Sequence, residues 1–449
     1  MPGLSRRKFL CGALTTGGSY FLFRETLSRF ALAQESGKAL SPASLYGRLS
    51  PTPAANTGEV LLSLPSGFQY NVFGKTGAQM SDSLPTPKAH DGMGVFDTFG
   101  GSGYWKIIRN HEIPDFAGTA GTASGPHPYD PVGGGGTTTL VINKATRLSV
   151  SDFTSLAGTV RNCGGGVTPW NTWLTCEETT VGTSAGYARP HGYCFEVFPD
   201  AILSGTPVPL TGMGRFRHES AAVDRKTGAV YMTEDNIPNS GFYRFIPNNY
   251  GRLDQGGKLQ MLKVRGQPNY DTRAGQIVGN ILLADWVDIP DPNPGAAETN
   301  AAAVFDQGWA QGGAVFARLE GCVAEFDRII FISTTGGNHS VGQVWEYRER
   351  KGNSGRLKLL YESPSAAVLN MPDNVLLGSR GNIFMAEDNG SQNYLRVLSP
   401  DGTISDLAKN IVPNFTAYEF TGCCFDPGRT TMFVNIQTPG MTFAIWGPW

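Results

Sequence analysis

The chain has 449 residues, with 36 basic and 38 acidic side chains for a formal net charge of −2, and 16% of its residues are charged. No basic block offers the electrostatic footprint that nucleic acid or an anionic lipid surface requires, so neither is expected as a partner. With 58 glycines and 29 prolines, the sequence is dense in turns and poor in helical periods, which favours many short strands.

The first element in chain order is a targeting signal. Ser5-Arg6-Arg7-Lys8-Phe9-Leu10 precedes a weakly apolar run from Cys11 to Phe23 and then Ala31-Leu32-Ala33. A twin arginine, a short apolar core and a small-residue cleavage site in that order mark a twin-arginine export signal over residues 1–33. Arg24 and Glu25 close an apolar run too short and glycine-rich to span a bilayer. The expectation is a mature protein without a membrane span, carried folded by the twin-arginine export machinery to the periplasm or beyond. Residues 34–58 read as a flexible lead-in and residues 59–449 as one catalytic domain.

From there a pattern returns six times: a β-rich run that ends in a polar or acidic cluster. The copies are Trp105–Glu112, Thr172–Thr179, Ala229–Asn236, Ile329–Asn338, Asn382–Asn389 and Thr431–Thr438. Several are followed by a second aromatic strand, such as His191–Val197 or Gly342–Tyr347. Strand, turn and strand at a recurring spacing are the signature of propeller blades, so the fold class is all-β, a six-bladed β-propeller. A β-sandwich is the competing arrangement. The strand near Gly67–Gly74 is expected to complete the last blade. The long interval from Pro247 to Ala314 reads as an insertion over one face, since Asp288 to Pro294 cannot be a central strand.

In a propeller, polar residues at inner-strand ends converge on one mouth of the central channel, where sites are built. Four segments supply candidates. Cys163 lies among glycines in Asn162-Cys163-Gly164-Gly165-Gly166, where its thiolate could bind a transition metal; the plainer reading is a buried or disulfide-bonded cysteine. His218 and Glu219 are adjacent, so only one should face the axis, and a carboxylate there suits a hard cation. Arg318 and Glu320, two apart, share a face in a strand; they could form an ion pair or divide between a phosphate oxygen and a metal. Asp373, in Asn370-Met371-Pro372-Asp373-Asn374, is expected in a turn before a strand. The acidic pairs Glu177-Glu178, Glu234-Asp235 and Glu387-Asp388 stand at strand ends as calcium ligands or solvated turn residues.

Six cysteines remain beyond the signal, with no zinc-finger spacing. Their pairing is not readable, although adjacent Cys423 and Cys424 must point to opposite faces of a strand. There is no Walker loop and no H-E-x-x-H. The single G-x-S-x-G, Gly182 to Gly186, lacks a strand-to-helix context and reads as a connecting loop.

Taken together, several segments resemble the PhoX-type alkaline phosphatase family. They are the twin-arginine start, Arg109-Asn110-His111-Glu112, Asn162-Cys163 with Thr168-Pro169-Trp170, Thr175-Cys176-Glu177-Glu178, His218-Glu219, Arg318-x-Glu320 and Glu387-Asp388. The resemblance runs from about Ser63 to the C-terminus. It implies a six-bladed propeller carrying a cluster of Fe(3+) and Ca(2+) ions. It also implies that Cys163, Glu219, Glu320 and Asp373 are metal ligands, that Arg318 contacts phosphate, and that the substrate is a small-molecule phosphate ester. The expected chemistry is metal-assisted hydrolysis of phosphate monoesters without an activated serine. A calcium-only propeller hydrolase of the lactonase or phytase type, and a non-catalytic envelope propeller, are the alternatives.

Overall fold

The computed structural model describes residues 45–98, 102–200, 206–350 and 353–449. The expected export signal lies outside the described residues. The rest forms six antiparallel blades around a channel. Blade 1 comprises His90–Asp97, Tyr104–His111, Gly135–Asn143 and Ser149–Thr159, from the axis outward. Blade 2 has Asn162–Val167, Trp173–Glu177 and Cys194–Val197. Blade 3 has His218–Val223, Val230–Glu234, Phe242–Pro247 and Gly257–Val264. Blade 4 has Leu319–Glu325, Arg328–Ser333, Gln343–Arg350 and Ser354–Glu362. Blade 5 has Pro372–Leu377, Ile383–Glu387, Tyr394–Leu398 and Ile404–Asn410. Blade 6 has Phe420–Phe425, Thr431–Ile436 and Met441–Trp446.

The run that recurs in the sequence is thus the second strand of each blade. It is the most apolar because it is buried on both faces between neighbouring blades. Among the described residues the hydrophobic core divides into six clusters, one at each junction between adjacent blades. Between blades 3 and 4, for example, Phe242 stacks on Phe331 with centroids 4.1 Å apart. Burying each such ring contributes roughly 1.5–3 kcal/mol. Cys423 and Cys424 do point apart, one toward the cluster shared with blade 5 and the other toward that shared with blade 1. All six described cysteines are free.

The ring closes as expected. Gln69–Phe73 pairs antiparallel with Met441–Trp446, so the last blade takes its outer strand from the N-terminal side of the domain. Two expectations need correction. Within the supposed flexible lead-in, Leu49–Pro53 is a strand that pairs with Val60–Pro65 and extends blade 5. Ala54 is in the core beside it. The apolar partner strand Val60–Pro65, buried from Leu61 on, holds it there. Nor is the interval from Pro247 to Ala314 a simple insertion over one face. Gly257–Val264 is a blade strand, and Ile281–Asp288 pairs on both sides, joining the outer edges of blades 3 and 4 into one sheet. Gly182 to Gly186 is a loop with one short 3-10 turn, as expected.

The inner strands position the site. Each carries a bulge near its start; in blade 1 and blade 2 two extra-ladder residues follow the first paired one, between His90 and Met93 and between Asn162 and Gly165. The same irregularity recurs in the inner strands of blades 3, 4 and 5, and one residue later in blade 6, between Thr421 and Cys424. Bulges re-aim side chains beside active sites. Here they also let neighbouring inner strands touch backbone to backbone: a Cβ on Gly164 would collide with the Glu219 carbonyl, and one on Gly92 would lie 2.7 Å from the Cys163 carbonyl.

Candidate metal centre

The second residue of each inner strand occupies the same place, and in blades 1 to 5 it opens the bulge. Those residues are Asp91, Cys163, Glu219, Glu320, Asp373 and Thr421 on blades 1 to 6. The first five are buried and carry a thiol and four carboxyls; the sixth turns its hydroxyl to donate to the His90 carbonyl at 2.7 Å. The residues just before the inner strands form a second circle: Ala89, Arg161, Arg217, Arg318, Met371 and Glu419. Their carbonyls accept the backbone N–H groups of a third circle, in order Glu112, Glu178, Asp235, Thr334, Asp388 and Gln437, at 2.9–3.3 Å. Ala89, Arg161, Arg318 and Met371 adopt positive φ of 44–53°, a costly conformation for non-glycine residues that is found mainly at functional sites.

The circles bring ligand atoms together in overlapping groups, each within 4.8 Å. They are Asp91, Glu112 and Cys163; Cys163, Glu178 and Glu219; Glu219, Glu320 and Asp373; and Asp373, Asp388 and Glu419. The four ligands expected from the sequence therefore lie in one linked chain of contacts. Glu219 faces it, while His218 turns into the blade, stacking on Phe216 with its Nε2 donating to the Gly214 carbonyl at 3.0 Å. Asp373 sits in the bulged strand Pro372–Leu377 rather than in a turn before it. Arg318 lies just outside its strand, at φ 44°. It forks onto Asp235 at 3.0 and 2.9 Å and reaches Glu320 at 2.7 Å.

Sequence reading missed Asp91 and Glu419, and it left the acidic pairs undecided. In each pair the first residue points into its blade and serves structure. Glu177 accepts from the Val160 and Gly192 N–H groups and bonds His191 Nδ1 at 2.6 Å. Glu234 accepts from the Gly241 N–H and the Tyr243 hydroxyl, and Glu387 from the Asn370 N–H and Arg396. The second residues, Glu178, Asp235 and Asp388, face the mouth, as strand alternation requires. The signal was available: Asp91 stands before Glu112 much as Cys163 stands before Glu178.

Electrostatics without ions are unfavourable here. Burial, with Glu112 and Asp373 close by, pushes the Asp91 carboxyl well above its usual range. Burial, then Asp91 and Glu219, does the same to the Cys163 thiol. Glu219 and Glu320 are raised by burial and neighbouring carboxylates, Asp373 to about 7 and Glu178 to about 8. Burial works against Arg318, but Glu320 and Asp235 more than offset it and raise its pKa. Asp91 Oδ1 and Glu219 Oε1 are buried with no hydrogen-bond partner. Orphaned oxygens, like charges and a thiol converging on one point fit multivalent cations, which favour every deprotonated ligand at once. Asn110 donates to the carbonyls of Cys163 and Gly164, both at 2.7 Å, and is itself held by Trp173 Nε1 at 2.9 Å, which fixes the thiol's backbone. A cavity of about 930 Å³ lies in the channel behind the ring and includes none of its carboxylates. The clustered carboxyls and the thiol stand instead beside Arg161 and Arg318.

Comparison with known proteins bears on the family and the fold. A family model described as alkaline phosphatase PhoX matches residues 47–440. No curated protein matches the chain. Pseudomonas fluorescens PhoX, in complex with the transition-state analogue vanadate, superposes with a TM-score of 0.67 at 17% identity, covering 91% of this chain and 98% of that chain. A gluconolactonase from Xanthomonas campestris gives 0.44 at 11% identity, over 91% and 99% of the two chains. Virginiamycin B lyase from Staphylococcus aureus gives 0.41 at 11%, over 84% and 99%. With the family model matched over most of its length, this chain belongs to the alkaline phosphatase PhoX family and is a phosphoric monoester hydrolase built on a six-bladed propeller.

Proposed function

We propose that the protein is exported by the twin-arginine route and hydrolyses small phosphate monoesters at a cluster of ferric and calcium ions, in the periplasm or outside the cell. The observation that carries this reading is the linked chain of ligand atoms, in which one thiol and several carboxyls from separate blades approach within 4.8 Å in overlapping groups. Donor chemistry divides the groups. The two that contain Cys163 suit iron, because a thiolate selects a transition metal over calcium. The all-oxygen group of Asp373, Asp388 and Glu419 suits calcium. Glu219, Glu320 and Asp373 link the two kinds.

Bound ions supply positive charge to the phosphoryl oxygens and acidify water. The chain's own residues do the rest. Arg318 forks onto Asp235 and Glu320 through Nε and Nη2, which leaves its Nη1 donors for a phosphoryl oxygen at the mouth, where the side chain is 28% exposed. Asp235 and Glu320 fix the plane of the guanidinium and so aim Nη1. As charge gathers on the non-bridging oxygens, a guanidinium already in place favours the transition state without reorganising. Folded export suits a protein whose ligands come from six different blades, since the cluster can be assembled before the protein leaves the cytosol.

The test is elemental analysis of protein exported through its native signal, paired with an assay on p-nitrophenyl phosphate. Iron together with calcium, and turnover of the ester, are expected. Calcium alone without phosphatase turnover would defeat the reading.

A further inference from the structure

The circle that holds Arg318 carries arginine on three successive blades: Arg161 on blade 2, Arg217 on blade 3 and Arg318 on blade 4. Equivalence is set by the backbone, since each carbonyl accepts the N–H that follows the second strand of its own blade. Two of the three are occupied by carboxylates. Arg161 bonds Glu112 at 2.8 Å and Glu178 at 3.3 Å. Arg318 bonds Asp235 at 2.9 Å and Glu320 at 2.7 Å. The Arg217 guanidinium makes no hydrogen bond or ion pair among the described residues, yet its residue is partly buried and its charge is close enough to favour the ionised forms of Glu178 and Glu234. On the neighbouring positions Met371 and Glu419 no cation is present, so the mouth is cationic along one arc only.

We propose that Arg217 is a second phosphate-binding residue, pairing with Arg318 across the Glu219 strand to bracket the phosphoryl group from blades 3 and 4. The inference rests on the phosphomonoesterase reading and extends it to a residue whose partner is the substrate itself. A partly buried guanidinium with no hydrogen-bond acceptor of its own is costly. A phosphate dianion supplies the missing acceptor, and Arg binds its oxygens two at a time. Arg161 and Arg318 are already pinned by two carboxylates each and stay in place when substrate leaves. Arg217 is held by none, so substrate binding orders it.

The test uses the metal-loaded protein and the variants Arg217→Ala and Arg217→Lys. The readouts are KM and kcat for p-nitrophenyl phosphate, the inhibition constant of inorganic phosphate, and metal content. Arg217→Ala should raise KM and the phosphate inhibition constant about tenfold or more, lower kcat by less, and keep its metals. Arg217→Lys should recover part of the loss. Native metal content with an unchanged phosphate inhibition constant in Arg217→Ala would overturn the proposal. If Arg217→Ala misfolds or loses metal, Arg217→Lys decides: an unchanged KM overturns the assignment, and a raised KM with native metals supports it. Should the wild type fail to turn over the ester, the phosphomonoesterase reading falls. Calorimetric titration of inorganic phosphate into wild type and variant then tests Arg217 by itself, and equal affinities overturn it.

Discussion

Cys163 Sγ lies 3.9 Å from Asp91 Oδ2, a thiol of blade 2 against a carboxyl of blade 1. Nothing in the sequence places those strands side by side; the closed ring of blades does. Burial, then Asp91 and Glu219, holds that thiol protonated in the absence of a cation, so only an ion can make it the thiolate that iron prefers. Cys163→Ser keeps the size of the side chain and removes the soft donor. Its product should lose the sulfur-to-iron absorption in the visible range. Activity should fall by more than the ~10–100-fold typical of losing a mere supporting contact around a metal. An unchanged visible spectrum and full iron content would show that sulfur is not a ligand.

Arg318 offers a second test. Its guanidinium is held by Asp235 and Glu320, so removing it strips the mouth of a preorganised donor. Arg318→Ala should lower kcat/KM by an amount corresponding to about 2–4 kcal/mol, the usual cost of deleting one charge-stabilising donor. Arg318→Lys should recover little, because an ammonium cannot fork. Steady-state kinetics on enzyme of verified metal content decides, and wild-type kcat/KM in Arg318→Ala would remove Arg318 from the reaction.

Metal loading should be visible as proton release. Without ions, burial and nearby carboxylates raise Asp373 to about 7 and, with Glu112 next to it, Glu178 to about 8. At pH 7 these groups are partly or mostly protonated, and binding a cation must expel those protons. Calorimetric heats of metal binding at pH 7 should then depend on the ionisation enthalpy of the buffer, with less release at pH 9. The sign for stability follows from the same shifts. The metal-free folded state binds more protons than the unfolded chain between about 4 and these raised values. Its stability therefore rises as pH falls through that window. Buffer-independent heats at pH 7 would contradict the picture.

Much of this architecture was legible in the sequence, for a physical reason. Second strands such as Val230–Glu234 and Ile383–Glu387 are buried throughout, so selection for apolar β-formers leaves a recurring signature. The closing strand at Gln69–Phe73 was legible on the same grounds. Inner strands are different. Asn162–Val167 reads Asn-Cys-Gly-Gly-Gly-Val; it lines a channel and touches its neighbour's backbone, so it carries no hydrophobic period. Asp91 was hidden in such a strand, beside Gly92. Glu419 was hidden because it takes the circle position that Arg318 holds in blade 4, with a residue of opposite charge. Arg318 and Glu320 meet as parity suggested, but Arg318 does so from the left-handed region rather than from the strand, and a bulge following Glu320 is not encoded by any residue pattern.

Buried histidines should make the fold acid-labile. Burial pushes His218 down to about 4, although its Nε2 donates to the Gly214 carbonyl. His90 and His111 are also driven well below their ordinary value, first by burial and then by the Arg109 charge. A histidine whose folded pKa is depressed leaves the unfolded chain to take up the proton as pH falls. Its contribution to stability is whole above about 6.5 and is lost on the way down to about 4, roughly 3 kcal/mol for His218 by itself. In metal-loaded wild type, where bound ions would hold the ring carboxyls deprotonated, urea midpoints should therefore drop between pH 7 and pH 5. His218→Gln keeps a side-chain amide able to donate to Gly214 but cannot titrate, so its midpoint should fall less over the same range. Equal slopes for the two proteins would mean that His218 is not neutral in the folded blade, and that the acid sensitivity of the ring originates elsewhere.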